Sequence, residues 1–489
     1  REITGDGMPY GLNLMLRALG AATHNGDAVA ALDLSPAVER LRQKITNPDF
    51  IKTRLRELVL ENPHRVTLVV APDSKLDQHR KERETARLEA MRADLDQPAI
   101  DNIRKLAQDL EDRQNQVDDV SILPKVGLAD IPKDVVTPAL TRLDVDDHTR
   151  HFVGTAGTNG LVYQQIALKL PALTPAQQER LPLLCALATE VGIGDTTYLE
   201  IQDRQSASVG SLSLSVSTRA SRSDVNDVSG FLVASSKALA HKVSDQTRLM
   251  TDTLTAASFD EDDRIRELVK QIRARRDQSI SGAGHSLAMT AACASMSPLA
   301  NLYHTQSGLE GIARLRRLDD SLADTSSLRS LSEELTALRE HLLTAPSVNL
   351  LTVSDSQNCE ASTDQLRSAA HGLTAAGNLE PWSLSESAVR TNQIWAANTQ
   401  VNFCAKAYPT VSSGHPDAPT LSVLAAYLRN GFLHRSIREQ GGAYGGGASH
   451  DGNVGAFRFF SYRDPRNLET LSDFDASIAW VLSAEPDSL

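Results

Sequence analysis

Ile437-Arg438-Glu439-Gln440-Gly441-Gly442-Ala443-Tyr444-Gly445-Gly446-Gly447 packs five glycines into the seven residues from 441 to 447. Such a density implies close approach of backbone segments or positive φ angles, both of which glycine permits. Taken alone, the stretch reads equally well as a flexible turn between a helix and a strand. Its neighbours favour a built turn: residues 421–438 carry a helical apolar pattern ending in Arg438, and residues 455–462 read as a long strand. A guanidinium and a phenol delivered by such a turn can hydrogen-bond a peptide carbonyl and its developing oxyanion.

Working outward, residues 400–407 predict a strand ahead of that helix, so the order is strand, helix, glycine-containing turn, strand. A similar order occurs upstream. Thr158-Asn159-Gly160 is a tight-turn signal, because Asn-Gly suits positive φ angles, and residues 151–156 and 161–170 are its expected strands. Thr174-Pro175-Ala176-Gln177 is a capping box before an apolar helix through Leu184 and Leu187. Residues 211–217 alternate strictly between Ser and an apolar residue, as a half-buried strand does, and 230–235 predict another strand. Long helical stretches then run to about residue 343, before a strand over 348–353. The two regions read as a divergent internal repeat of one α/β unit.

The first residues differ in character. Ser35-Pro36 predicts an N-cap with Pro at the first helical position, and Val38, Leu41 and Ile45 follow at helical spacing. Residues 65–71 form a short β-rich run closed by Pro72-Asp73. Residues 74–119 are highly charged and lack glycine. Ile100, Ile103, Leu106 and Leu110 make one apolar stripe, and Gln97-Pro98 interrupts the periodicity, which predicts two helices joined as a hairpin. The division expected is therefore 1–73, the closing part of an α/β domain; 74–120, a helical-hairpin linker; 121–370, an α/β domain; and 371–489, a further, truncated α/β domain carrying Arg438 and Tyr444.

A chain of 489 residues exceeds one ordinary core. Aromatic residues supply only 4%, so the cores must be built from Leu, Ala, Val and Ile. There are 62 acidic and 50 basic residues, a formal charge of −12, with no long basic run, which argues against nucleic acid as the partner. Solubility is the plainer reading of the acidic surplus, and acidic walls around a space for basic peptides the other. No apolar run approaches the ~18 to 20 residues that span a bilayer, so no membrane partner is expected. Arg1 opens the sequence without a signal-like apolar region behind it, so the chain reads as a piece of a longer one. Cys185, Cys293, Cys359 and Cys404 form no CxxC pair and read as free thiols of a reducing compartment.

Neither H-E-x-x-H nor H-x-x-E-H occurs, so no metal site is expected in this chain. His79-Arg80-Lys81-Glu82-Arg83 places Arg where a second ligand would stand and reads as a solvated helix face. His148 and His151 lie close together without a third ligand. Gly284-His285-Ser286-Leu287-Ala288 nearly spells a nucleophile elbow, but no apolar strand precedes it, so a loop or helix start is expected. Nucleotide-binding glycine motifs are absent.

The pair "REQGGAYGGG" (438–447) and "FFSYRDP" (459–465) resembles the C-terminal part of presequence proteases, a branch of the pitrilysin/insulinase group of zinc metallopeptidases. "REITGDGMPYGL", "NPHRVTLVVAPD", "LPKVGLADIP", "TNGLVY" and "LLCALATEVGIGDTTY" resemble the same family's middle region. The resemblance implies an α+β fold: repeated α/β sandwich domains with helices on mostly antiparallel sheets, two per half, joined by a helical hairpin. It implies that the zinc and its H-x-x-E-H motif belong to an N-terminal half not contained here, the partner of this one. By motif match, Arg438 and Tyr444 take the place of the family's substrate carbonyl and oxyanion-binding pair, with Gly441 and Gly442 beside the substrate. Unfolded peptides such as cleaved targeting peptides are the implied substrates. The implied compartment is cytoplasmic for a bacterial source and the mitochondrial matrix for a eukaryotic one. The isolated chain is then expected to be inactive. The competing expectation is a stand-alone, metal-free scaffold or peptide-binding protein of the same fold.

Overall fold

Capping boxes, alternating strands and the charged hairpin fold as their patterns predict, whereas two expected strand arrangements do not. The computed structural model describes residues 9–116, 122, 124, 127–134, 137–373, 380, 382–384 and 392–483. "LPKVGLADIP" and the start of the expected last domain lie partly outside these. The chain divides into two compact units, Thr4–Thr137 and one built from Pro138 onward.

In the first unit, α1 (Tyr10–Thr23), α2 (Ser35–Ile45) and α3 (Phe50–Leu55) are followed by a π-helical turn over Arg56–Leu60, then by α4 (Leu76–Ala93) and α5 (Gln97–Asn115). The predicted hairpin is α4 and α5. The Asp96 side chain accepts the Ala99 N–H at 2.9 Å, and Pro98 sits in the first turn, where its missing N–H costs nothing. Ser35 is itself the first residue of α2 and makes no side-chain cap, one position away from the expected N-cap. The strand expected at 65–71 does not form. That run pairs with no strand, and Val66, Leu68, Val69 and Val70 are all more than four-fifths exposed. β-Branched residues favour a strand only where a ladder and a covering face exist. The described residues of this unit supply neither, and none of them is buried.

The second unit begins with β1 (Leu140–Asp144), β2 (Thr149–Thr155), β3 (Leu161–Lys169), α6 (Pro175–Ala188), α7 (Tyr198–Ser208), β4 (Ser211–Ala220) and β5 (Val228–Leu239). Six helices follow: α8 (Val243–Ala256), α9 (Asp262–Gly282), α10 (Gly284–Cys293), α11 (Pro298–Gln306), α12 (Leu309–Ser321) and α13 (Thr325–Leu342). Then come β6 (Val348–Ser354), α14 (Ser356–Ala370), β7 (Ala405–Pro409), and α15 (Ala418–Leu428), which runs into a π-helical stretch, Arg429–Gln440. β8 (Gly445–Asp451), β9 (Ala456–Tyr462) and α16 (Leu468–Ser483) complete it.

The strands form a six-stranded sheet, β1-β2-β6-β3-β5-β4, and a three-stranded sheet, β7-β9-β8. Every pairing is antiparallel except β2 with β6. The fold is therefore α+β, helices on mostly antiparallel sheets. The Asn159-Gly160 turn exists, with φ of 56° and 79°. Its flanking strands do not pair, however, because β6 inserts between β2 and β3. Asp355, just after β6, accepts the N–H groups of Thr158 and Gly160 at 2.8 and 2.6 Å, so the turn is tied to the inserted strand. These bonds hold the Asp355 carboxyl below its ordinary range.

The order β3, α6, β4, β5, α8 is repeated by β7, α15, β8, β9, α16, and the spatial order β3-β5-β4 matches β7-β9-β8. Each sheet has its own core. Ile166, Leu168 and Leu232 pack with Leu184, Leu187 and Leu335 in the first, and Leu433, Ile437, Phe459 and Phe474 with one another in the second. Helix α10 packs on β7 and β9, joining the two. A Cβ on Gly284 would lie 2.4 Å from the Phe403 ring, so glycine is what lets the helix seat there. The four cysteines are free, and burial pushes the Cys185 thiol up to about 12.

Candidate functional site

The π-helical stretch ends by turning back on itself. Gly442 donates its N–H to the Arg438 carbonyl and Ala443 its own to that of Ile437, both at 3.1 Å, with Gly442 at φ 78°. Gly441 is buried under the guanidinium of Arg466, and a Cβ there would lie 2.0 Å from Nη2. Arg466 in turn donates to the Ser436 carbonyl at 3.3 Å and to Asp473 at 2.8 Å. A Cβ on Gly446 would meet the Ile437 side chain at 2.8 Å. The glycine cluster is thus a close-packed junction. Gly445–Asp451, expected as a turn, is strand β8, since its pairing with β9 satisfies the backbone that the missing side chains leave open.

This junction brings Arg438 and Tyr444 together at the surface. The Arg438 guanidinium carbon lies 5.7 Å from the centre of the Tyr444 ring, within cation–π range. Tyr444 is 65% exposed, and its N–H donates to the Arg463 carbonyl at 3.3 Å. Its ring meets that of Tyr462 edge-on, 5.6 Å between centres at 85°. Tyr462 stands opposite Gly445 in the β8–β9 register and donates its hydroxyl to the Gly282 carbonyl at the end of α9, at 3.3 Å. His285 meets the Tyr462 ring edge-on at 4.8 Å, and Phe403 packs at 5.8 Å. Burial holds His285 below its ordinary range. Two exposed hydrogen-bonding groups, a phenol and a guanidinium, therefore project side by side from an aromatic footing. Gly442 is exposed beside them, and Gly441 lies beneath.

The other sequence candidates fall elsewhere. Gly284 opens helix α10 directly after α9, so no strand leads into Ser286 and the elbow geometry is missing. His285 and Ser286 do approach at 3.3 Å, but the imidazole is packed on Phe460 and Tyr462. His151 is fully buried in β2 with Nε2 2.9 Å from the Thr352 hydroxyl. His79 is exposed on α4, 3.9 Å from the Asp73 carboxylate. Among the described residues, no group of three or more His, Cys, Asp and Glu side chains is placed to hold a metal ion, so these residues do not fit a zinc site. Among the same residues, no helix is long and apolar enough to cross a membrane. Sequence reasoning missed the supporting roles of Tyr462, His285 and Phe403. The available signal was the β8–β9 register, hidden because Gly445–Gly447 was not read as a strand.

The family described as peptidase M16, subfamily C, associated matches residues 70–318, about half of the chain. The chain belongs to that family. The description "PreP C-terminal domain" matches residues 392–485 of this peptidase-associated chain, the segment that holds Arg438 and Tyr444. The mitochondrial presequence protease of Xenopus laevis is 26% identical, over 97% of this chain and 49% of that protein. That of Danio rerio is 27% identical, over 96% and 48%. The chain spans about half the length of these curated relatives. It is therefore presequence protease-like, similar to the C-terminal half of such enzymes. A solved peptidase M16 inactive domain from Pseudomonas fluorescens aligns over 71% of this chain and 80% of that one, at 15% identity and a TM-score of 0.45.

Proposed function

We propose that this chain is the non-zinc half of a zinc metalloendopeptidase that degrades unfolded peptides, cleaved targeting peptides among them. The observation that carries the reading is the Arg438–Tyr444 pair, exposed side by side on a junction that the buried Gly441 and the close-packed Gly446 hold rigid. The Tyr444 hydroxyl donates to the scissile carbonyl and its developing oxyanion, and Arg438 anchors the neighbouring peptide backbone. Gly441 and Gly442 hold the backbone clear of side chains where the peptide lies. The zinc belongs to the other half, which bears H-x-x-E-H. The names of the presequence proteases support the substrate class, and the half-length match supports an N-terminal partner. The exposed apolar run Val66, Leu68, Val69 and Val70 is a surface for that partner, since such a patch stabilises a protein only when covered.

On this reading residues 1–73 complete a second α/β domain, 74–120 form the linker, 121–370 the third domain and 371–489 the fourth. A eukaryotic source places the enzyme in the mitochondrial matrix, and a bacterial one in the cytoplasm. The test is hydrolysis of an unfolded peptide with zinc, by this chain alone and after mixing with the family's N-terminal half. Activity in the mixture only supports the reading. Chelator-sensitive hydrolysis by the chain alone overturns it.

A further inference from the structure

Away from the Arg438–Tyr444 pair, helices α6, α9, α11 and α12 enclose an open-mouthed cleft with about 650 Å³ of empty space. Its geometry is built in. Pro182 lies inside α6 and has no N–H, so the Gln178 carbonyl loses its partner one turn back. Gln306, on the cleft wall at the end of α11, donates its side-chain N–H to that carbonyl at 2.7 Å. Gly311 then passes so close to Gln306 that a Cβ would lie 2.5 Å from the backbone. The proline, the glutamine and the glycine thus fix the spacing of the walls.

The floor is apolar, formed by Leu183, Ile272, Ile312 and Leu318. Three arginines reach the lining against one glutamate. Arg180 pairs with Glu334 at 2.8 Å, and Arg314 with Glu179 at 2.8 Å and with Glu310. Arg276 is half-buried and makes no side-chain hydrogen bond or ion pair with any described residue. An unpaired guanidinium beside an apolar floor is the arrangement that orients an amphipathic anion. The apolar wall supplies contact area and the planar fork supplies a bidentate match to a carboxylate. In a chain of net charge −12, this local excess of arginine also attracts anions against the overall field.

We propose that this cleft binds a small apolar carboxylate, its tail on the Leu183–Ile312 floor and its head group paired with Arg276. Two sources share that chemistry: a free medium-chain fatty acid and the apolar C-terminal end of a peptide. The experiment is calorimetric titration of this chain with octanoate, with octanol as the uncharged control, and with N-acetyl-Phe-Leu as free acid and as amide. Saturable binding of octanoate or of the peptide acid is expected, about tenfold or more weaker for octanol or the amide, because a charge-assisted bond is lost. Arg276→Gln is expected to weaken the acid by a similar factor. Ala186→Phe fills the cleft from an exposed position and is expected to abolish binding with the circular dichroism spectrum unchanged. Octanoate binding alone assigns the site to fatty acids, and peptide-acid binding to chain ends. Absence of saturable binding by both acids, or equal affinity in wild type and Arg276→Gln, overturns the proposal.

Discussion

Acidification singles out His151. The imidazole is fully buried in β2, and burial, followed by the nearby positive charge of Arg367, pushes its pKa down to about 4 against the opposing pull of Asp364. In the unfolded chain a histidine titrates near its ordinary 6.5. Between these values the unfolded state binds a proton that the folded state refuses, so stability falls as pH drops through 6.5 and levels off below about 4. For that pair of pKa values, the loss between about pH 7 and about pH 5 is on the order of 2 kcal/mol. That is a sizeable share of the ~5 to 15 kcal/mol that typically holds a domain. The assay is urea unfolding followed by circular dichroism at the two pH values, for wild type and His151→Gln. Glutamine keeps a hydrogen-bonding group near Thr352 but cannot take up the proton. The reasoning predicts that most of this pH-dependent loss disappears in the variant. An equal loss in both proteins, or a His151 imidazole that titrates near 6.5 by NMR, refutes it.

Other consequences are direct. Gly441→Ala drives a methyl into the Arg466 guanidinium and breaks its bonds to Ser436 and Asp473; a loss of about 1–3 kcal/mol is expected in chemical denaturation. Phe474→Ala empties a fully buried site stacked on Phe459 at 5.5 Å, and should cost about 3–5 kcal/mol, read as a lower unfolding midpoint. Asp355→Ala removes the acceptor for the Thr158 and Gly160 N–H groups, so amide exchange at those two positions should accelerate while exchange in β8 and β9 stays unchanged.

Elements whose signals are local were legible in the sequence. The Thr174–Gln177 capping box and the serine alternation of β4 depend only on neighbours a few residues away, and both appear where expected. The Asn159-Gly160 turn was likewise legible, but not the pairing of its flanks. β6 enters from almost 190 residues downstream, and nothing local to the turn encodes that insertion. Residues 65–71 failed for the opposite reason: their composition suits a strand, yet a strand needs a partner that the described residues do not supply. At the candidate site, Arg438 and Tyr444 were readable from the motif. The footing of Tyr462, His285 and Phe403 was not, because it joins α10 to β9 across some 170 residues of intervening chain.

The account's central claim is that Tyr444 and Arg438 complete an active site whose metal lies in another half. The measurement that tests it most directly is steady-state hydrolysis of an unfolded peptide by the two combined halves, comparing wild type, Tyr444→Phe and Arg438→Ala. Loss of one oxyanion donor predicts a fall in kcat of ~10² to 10³ for Tyr444→Phe with little change in melting temperature. A Tyr444→Phe enzyme that turns over at the wild-type rate would contradict the claim.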